Sequence, residues 1–206
     1  MQFGFIGAGQ VSLAIAKELI ALGHEVALSS RRGPAHIATK LAGLGANAHA
    51  VSVSEAASAD IVFLAAPWET VEEALSGLPA WNNRILVDTT NPFVKTASGY
   101  AVDALDGRSA SAIVADFAPG ARVVKAFNTI LMTNFEKGPT QEGVRRVLFV
   151  SGDDVAAKNE VQSLIEAFGF AVIDLGGLTE GGRLQQGGGP LAGQDLLLFA
   201  PWRLKG

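Results

Sequence analysis

Phe3-Gly4-Phe5-Ile6-Gly7-Ala8-Gly9-Gln10-Val11-Ser12 is the stretch that decides the fold. The apolar run at residues 3–6 reads as a strand. Gly7 and Gly9 follow at once. Val11, Ile15, Leu19 and Leu22 then recur at the spacing of one helical face, which Gly23 is placed to end. The turn is a G-x-G-x-x-S version of the dinucleotide fingerprint, with Ser12 where the third glycine usually stands. A strand directly before it and an amphipathic helix directly after it give the pattern its meaning. Gly7 allows the tight turn, Gly9 lets the backbone approach a pyrophosphate at the positive end of the helix, and Ser12 is still small enough for helix to pack near strand. Gly7, Ala8, Gly9, Gln10 and Val11 are therefore expected to contact a dinucleotide. The alternative is a glycine turn with a purely structural role.

Outward from this turn the alternation of strand and helix continues. Residues 26–28 read as a second strand, and Pro34 opens a helix that runs out near Gly43 and Gly45. A weak strand at 48–53, a short helix at 54–58 and a strong strand at 61–65 follow. Helix at 69–78, strand at 85–87, helix at 109–117 and strands at 123–127 and 147–150 come next, then helix at 153–168 and a last strand at 171–175. Strands apolar on both faces imply a parallel sheet covered on both sides. The glycine-rich stretch 176–189 reads as a loop over a ligand site or an interface, before a final apolar segment at 191–202. No repeat, charge block or linker divides the chain. The expected architecture is α/β: one doubly wound, Rossmann-like domain over 1–206, with 176–206 as a pocket or dimer element.

Composition narrows the function. The 206 residues are 49% apolar and 17% charged, and 16 basic against 20 acidic side chains give 16 − 20 = −4. That balance gives no reason to expect nucleic-acid or anionic-membrane binding. With no cysteine there is no disulfide frame, thiolate nucleophile or cysteine zinc site, which fits a reducing, cytoplasmic compartment. The longest apolar run, residues 61–68, is far short of the ~20 residues that cross a bilayer, and the first residues do not read as a signal peptide. Low charge and 24 glycines point to a partly apolar surface, buried in a homodimer. His24, His36 and His49 lack metal-ligand spacing, so no metal site is expected. His36 follows the arginines described next and is placed to touch the adenosine end of a cofactor.

The end of the second strand selects the dinucleotide. NAD-binding folds place an acid there for the ribose 2′-hydroxyl. This chain instead has Ser29, Ser30, Arg31 and Arg32. Guanidinium forks suit phosphate, and the missing carboxylate removes a repulsion, so NADP(H) is expected over NAD. The strand at 61–65 ends in Ala66-Pro67-Trp68 and the strand at 85–87 runs into Asp88-Thr89-Thr90-Asn91-Pro92. Both fall at the carboxyl edge of the sheet. Pro67 and Trp68 are placed for an apolar wall near the nicotinamide ribose, and Asn91 for a hydrogen bond to ribose or carboxamide. The competing reading is an ordinary turn at Asn91-Pro92 and a packed aromatic at Trp68.

Together the strand-end SSRR, the segment DTTNP at 88–92, the run SASAIVADFAPGARVVKAFNTI at 109–130 and SGDD at 151–154 resemble the coenzyme F-420-dependent NADP oxidoreductase family. The resemblance covers residues 3 to about 175. It implies a single Rossmann-like domain, a homodimer and NADP(H) as hydride partner, with Gly7, Gly9, Ser30, Arg31 and Arg32 carried over as cofactor contacts. The glycine-rich segment after the last strand departs from the charged, leucine-rich segment often found there, which leaves the acceptor open between deazaflavin, flavin and others.

Hydride transfer between two ring systems needs stacking, the correct face and exclusion of water, not a protein nucleophile. No catalytic acid or base is assigned. Phe127, Asn128 and Thr129, just past the strand at 123–127, are expected to line the acceptor or nicotinamide pocket. A Lys125–Asn128 acid-and-orienter pair is disfavoured if the strand continues, because residues three apart then face opposite sides. A salt-bridged lysine is the simpler reading. The expected function is transfer of hydride between NADPH and a flavin-like or deazaflavin small-molecule acceptor. The alternatives are reduction of a small carbonyl or imine, and a non-catalytic NADP-binding sensor.

Overall fold

The computed structural model describes residues 1–199. Its elements run β1 (Phe3–Ile6), α1 (Gln10–Ala21), β2 (Val26–Ser29), α2 (Pro34–Leu41), β3 (Ala48–Val51), α3 (Val53–Ala56), β4 (Ile61–Leu64), α4 (Val71–Leu75) and β5 (Ile85–Asp88). Then come β6 (Phe93–Thr96), β7 (Gly99–Val102), α5 (Ala110–Phe117), β8 (Arg122–Ala126), α6 (Met132–Phe135), β9 (Thr140–Gln141) and β10 (Val144–Gly152). The last are α7 (Val155–Ala167), β11 (Ala171–Asp174), α8 (Glu180–Gln185) and β12 (Leu197–Leu198). No helix among the described residues is long and apolar enough to cross a membrane.

Strands β3, β2, β1, β4, β5 and β8 lie side by side in that order and all run parallel. β10 reverses direction: it is antiparallel to β8 and parallel to β11, and it carries β9 and β12 as antiparallel partners. The chain starts mid-sheet at β1, moves outward through β2 and β3, and returns to lay β4 and β5 on the other side. Strand order therefore reverses between β1 and β4, the place where open α/β sheets leave a crevice. Register levels that crevice, because Ser29, Ile6, Leu64, Asp88 and Lys125 are successive cross-strand neighbours in one row. Ser30, Gly7, Ala65 and Thr89 thus leave the sheet side by side.

Alternation along each strand divides the apolar side chains between two faces. Phe3, Phe5, Phe63 and Val87 meet Ile15 and Leu19 of α1, Ile37 of α2, and Val161 and Ile165 of α7. Ile6, Val62, Leu64 and Leu86 meet Val71 and Leu75 of α4, Trp81, and Val114 of α5. Such two-sided burial is what strands apolar on both faces require. Phe5 stacks on Phe63 at 4.7 Å between ring centres, and Phe127 meets Phe63, Phe135 and Phe168 at 6.0, 6.3 and 6.2 Å.

Several segments differ from the sequence reading. The helix expected over 69–78 is a 3-10 turn at Trp68–Thr70 followed by only five helical residues, because Ser76 is extended and Gly77 takes a positive φ of 67°. The strand expected over 147–150 is nine residues long. Residues 176–189 are not all loop: α8 lies within them. The hairpin β6–β7 and helix α6 were not expected at all. The end of the final apolar segment and of the 176–206 element, residues 200–206, lies outside the described residues.

Candidate functional site

A cleft of about 870 Å³ opens along the carboxyl ends of β2, β1, β4 and β5. Of the residues expected to hold a cofactor, Gly7, Ala8, Gly9, Val11, Ser30, Arg31, Arg32, Ala66, Pro67, Trp68 and Asn91 line it. His36 and Lys40 of α2 close the end near the arginines, and Thr89, Thr90, Phe93, Lys95 and Tyr100 line the end beyond β5.

The two glycines of the first turn are glycines for different reasons. Gly7 has φ of 114°, and a Cβ there would strike the Ala65 carbonyl, so strand and turn could not close with any other residue. Gly9 is the N-cap of α1 in an extended conformation that any residue adopts, and a Cβ on it would meet no atom of the chain within 4 Å. Nothing among the described residues fills that space. The helix behind it starts with no side-chain cap and no acid in its first turn. Its free N–H groups and the positive end of its dipole therefore face the cleft without an anion of their own. An open cradle over uncapped amides fits the diphosphate of a dinucleotide.

The end of β2 supplies the second fit. Ser30 Oγ accepts from the Arg32 N–H at 3.3 Å, and the Arg31 guanidinium donates to Glu73 at 3.2 Å. No ion-pair or hydrogen-bond partner of the Arg32 guanidinium is found among the described residues. Ser29 is different: it is fully buried, and its hydroxyl donates to the Phe5 carbonyl at 2.8 Å, which ties β2 to β1. Ser29 therefore lies beneath the cleft rather than in it. Gln10 and Pro92 also fall outside the lining, Gln10 because it is exposed on the first turn of α1 and Pro92 because it is buried.

At the opposite end the walls are fixed by side chains that reach across elements. The Trp68 indole N–H donates to Asp103 at 2.7 Å, and the Lys95 N–H donates to Glu69 at 3.3 Å, so the β6–β7 hairpin is pinned against the turn after β4. Asn91 is committed internally: its Oδ1 accepts from the Gly187 N–H and from Asn128, and its Nδ2 donates to the Asn128 carbonyl. Only one of its amide hydrogens is left for a ligand.

Phe127, Asn128 and Thr129 do not line the cleft, which corrects the expectation placed on them. The strand stops at Ala126 because Phe127 takes a positive φ of 63°, turning its ring into the aromatic core at 1% exposure. Asn128 is buried, and its Nδ2 donates to Asn91 and to the Gln185 carbonyl. Thr129 accepts a hydrogen bond from the Gly193 N–H through its carbonyl. Asn128 and Thr129 tie the C-terminal segment down one layer behind the site.

Lys125 is a fully buried structural cation. Its ammonium donates to Asp88 at 3.1 Å and to the Thr90 carbonyl at 2.9 Å. Asp88 in turn accepts from the Thr90 N–H, the Thr90 hydroxyl and Ser111. The pair thus grips Thr90, a lining residue, by both ends of its backbone. Thr89, Thr90 and Glu73 were absent from the sequence expectation. The two threonines follow from the strand register, whereas nothing in the pattern of charges marks Glu73. Among the described residues no group of three or more metal-ligating side chains comes together.

Residues 2–92 match the family model "NADP oxidoreductase coenzyme F420-dependent". The hypothetical protein SMa0349 from Sinorhizobium meliloti is 35% identical, with 97% of this chain and 96% of that one superposed at a TM-score of 0.89. A candidate F420-dependent NADP reductase from Arthrobacter sp. FB24 is 28% identical over 86% of this chain and 84% of its own, with a TM-score of 0.70. The metalloreductase STEAP3 of Rattus norvegicus is 31% identical over 179 residues, 85% of this chain. The chain spans about a third, 34%, of that relative's length.

Proposed function

We propose that the chain is a member of the coenzyme F420-dependent NADP oxidoreductase family, whose model its residues 2–92 match, and that it passes hydride between NADPH and a flavin-like or deazaflavin acceptor. The observation that carries the reading is the continuity of one cleft. It runs from Arg31 and Arg32, past the open face of Gly9 and the uncapped start of α1, to Thr90 and Asn91.

In this reading the amides of α1 and the Gly9 backbone hold the diphosphate, and Ser30, Arg31 and Arg32 hold the additional phosphate of the adenosine ribose. Ala66, Pro67 and Trp68 provide an apolar wall, with the indole fixed by Asp103. Bound NADPH supplies the hydride itself. The protein's part is to orient the two rings and exclude water, which requires neither nucleophile nor general base. The buried Lys125–Asp88 pair contributes by holding Thr90 in place. The C-terminal segment acts as a wall behind the acceptor end, since Asn128 and Asn91 anchor it through Gln185 and Gly187. A homodimer is part of the proposal: Leu131, Leu184 and Phe199 are exposed at 57%, 41% and 68%, and an interface would cover them.

NADPH oxidation with a panel of flavins, deazaflavins and small carbonyls or imines tests the function. Turnover with a flavin-like or deazaflavin acceptor is expected. Turnover with carbonyls or imines alone would reassign the chain to that class. Tight NADPH binding with no turnover on any acceptor would make it a sensor.

A further inference from the structure

Arg31 and Glu73 face each other across the adenosine end of the cleft. Arg31 follows β2 and Glu73 lies on α4, which follows β4, so the pair joins the two walls of the crevice. Their charged ends are 3.2 Å apart, with side chains 73% and 64% exposed. Three neighbouring groups of that end, Arg32, His36 and Lys40, have no anionic partner among the described residues. Glu69, the other acid of the lining, is held by the Lys95 N–H instead. Among the described residues, Glu73 is therefore the one carboxylate set against the guanidiniums that the sequence leaves at the end of β2.

We propose that Glu73 is a determinant of cofactor choice: in the free protein it occupies on Arg31 the place of the phosphate, and it gives way when NADP(H) binds. This inference rests on the reading of the cleft as an NADP(H) site. An exposed ion pair is worth little and exchanges readily, so Glu73 holds the flexible Arg31 side chain over the cleft without locking it. A phosphate offers the guanidinium a stronger, bidentate partner and displaces the carboxylate. The displaced charge then stays near a dianion of its own sign and weakens its binding. A dinucleotide without that phosphate leaves the pair undisturbed. An acid does serve this end of the site, but it comes from α4 rather than from β2, and it meets a guanidinium rather than a ribose.

Calorimetric titration of the wild type, Glu73→Gln, Arg31→Ala and the double variant with NADPH and with NADH provides the test. Glu73→Gln is expected to lower the Kd for NADPH about 2- to 5-fold, the range an exposed pair can deliver. It should leave NADH unchanged, and its effect should shrink in the Arg31→Ala background, where only the repulsion between Glu73 and the phosphate remains. The substitution is on the surface, so Tm should move by no more than about a degree. An unchanged or raised Kd for NADPH in Glu73→Gln, or equal tightening of both dinucleotides, overturns the proposal. If Arg31→Ala itself leaves NADPH binding intact, the assignment of the phosphate to Arg31 fails, and the role of Glu73 falls with it.

Discussion

Gly9 and Gly7 stand two residues apart and make opposite predictions. Glycine at position 9 is required neither by backbone conformation nor by any protein neighbour. Gly9→Leu should therefore leave Tm within a few degrees of the wild type while abolishing binding of both NADPH and NADH. Gly7→Ala should destabilise the fold itself, because its Cβ meets the Ala65 carbonyl at a positive φ. Retained dinucleotide binding in Gly9→Leu would move the diphosphate elsewhere. At the end of β2, Arg31→Ala with Arg32→Ala should weaken NADPH by about 1 kcal/mol per guanidinium, discounted for exposure, or roughly 30-fold in Kd. NADH should change less than twofold, and equal weakening of both would contradict the phosphate assignment. The place of these residues in the cleft was legible in the sequence, because they stand where the second strand ends at the carboxyl edge of the sheet. Phe127 was not, since nothing in the run around it signals that a phenylalanine adopts a left-handed conformation and ends the strand.

At the level of elements, tertiary contacts decide what local pattern cannot. α8 contains Gly181 and Gly182, residues that oppose helix formation, yet a Cβ on Gly181 would strike Ser151 and Leu175. Gly181 lets the helix lie against β10 and Gly182 lets it lie against Ser109 at the start of α5, and composition alone reads both as loop. The β6–β7 hairpin is hidden for another reason: its two four-residue strands are largely exposed and lack an Asn-Gly or Asp-Gly turn. α3, by contrast, carries a capping box in Ser52 and Glu55, each side chain serving the other's backbone. The Ser52 hydroxyl, then its N–H, hold the Glu55 carboxyl below its ordinary value of 4.5. A lowered folded value means that the stabilisation is present above about pH 4.5 and is lost as the pH falls through the folded value. Ser52→Ala should lower Tm by about 2–4 °C at neutral pH. The difference from wild type should shrink in acid, and a difference independent of pH would exclude the box as its source.

Over the whole molecule, the strand register and the buried pair connect the core to the site. Asp88 and Lys125 are cross-strand neighbours with no exposure, and both hold Thr90. Lys125→Met strands a buried carboxylate and should cost about 3–5 kcal/mol in denaturant unfolding, part of which Asp88→Asn in the same chain should restore. A loss under 1 kcal/mol would mean that the pair does not hold the core together. The parallel half of the sheet was legible, since runs apolar on both faces separated by helices leave few other arrangements. The antiparallel direction of β10 was not, because strand polarity depends on how residues 127–143 route the chain and leaves no mark on apolar patterning.

The central claim is that the crevice between β1 and β4 holds a dinucleotide bearing the extra phosphate. Parallel isothermal titrations of the purified chain with NADPH and NADH test it most directly. The account predicts one site per chain with NADPH bound at least tenfold more tightly than NADH. No heat with either ligand at millimolar concentration, or NADH bound as tightly as NADPH, would contradict it.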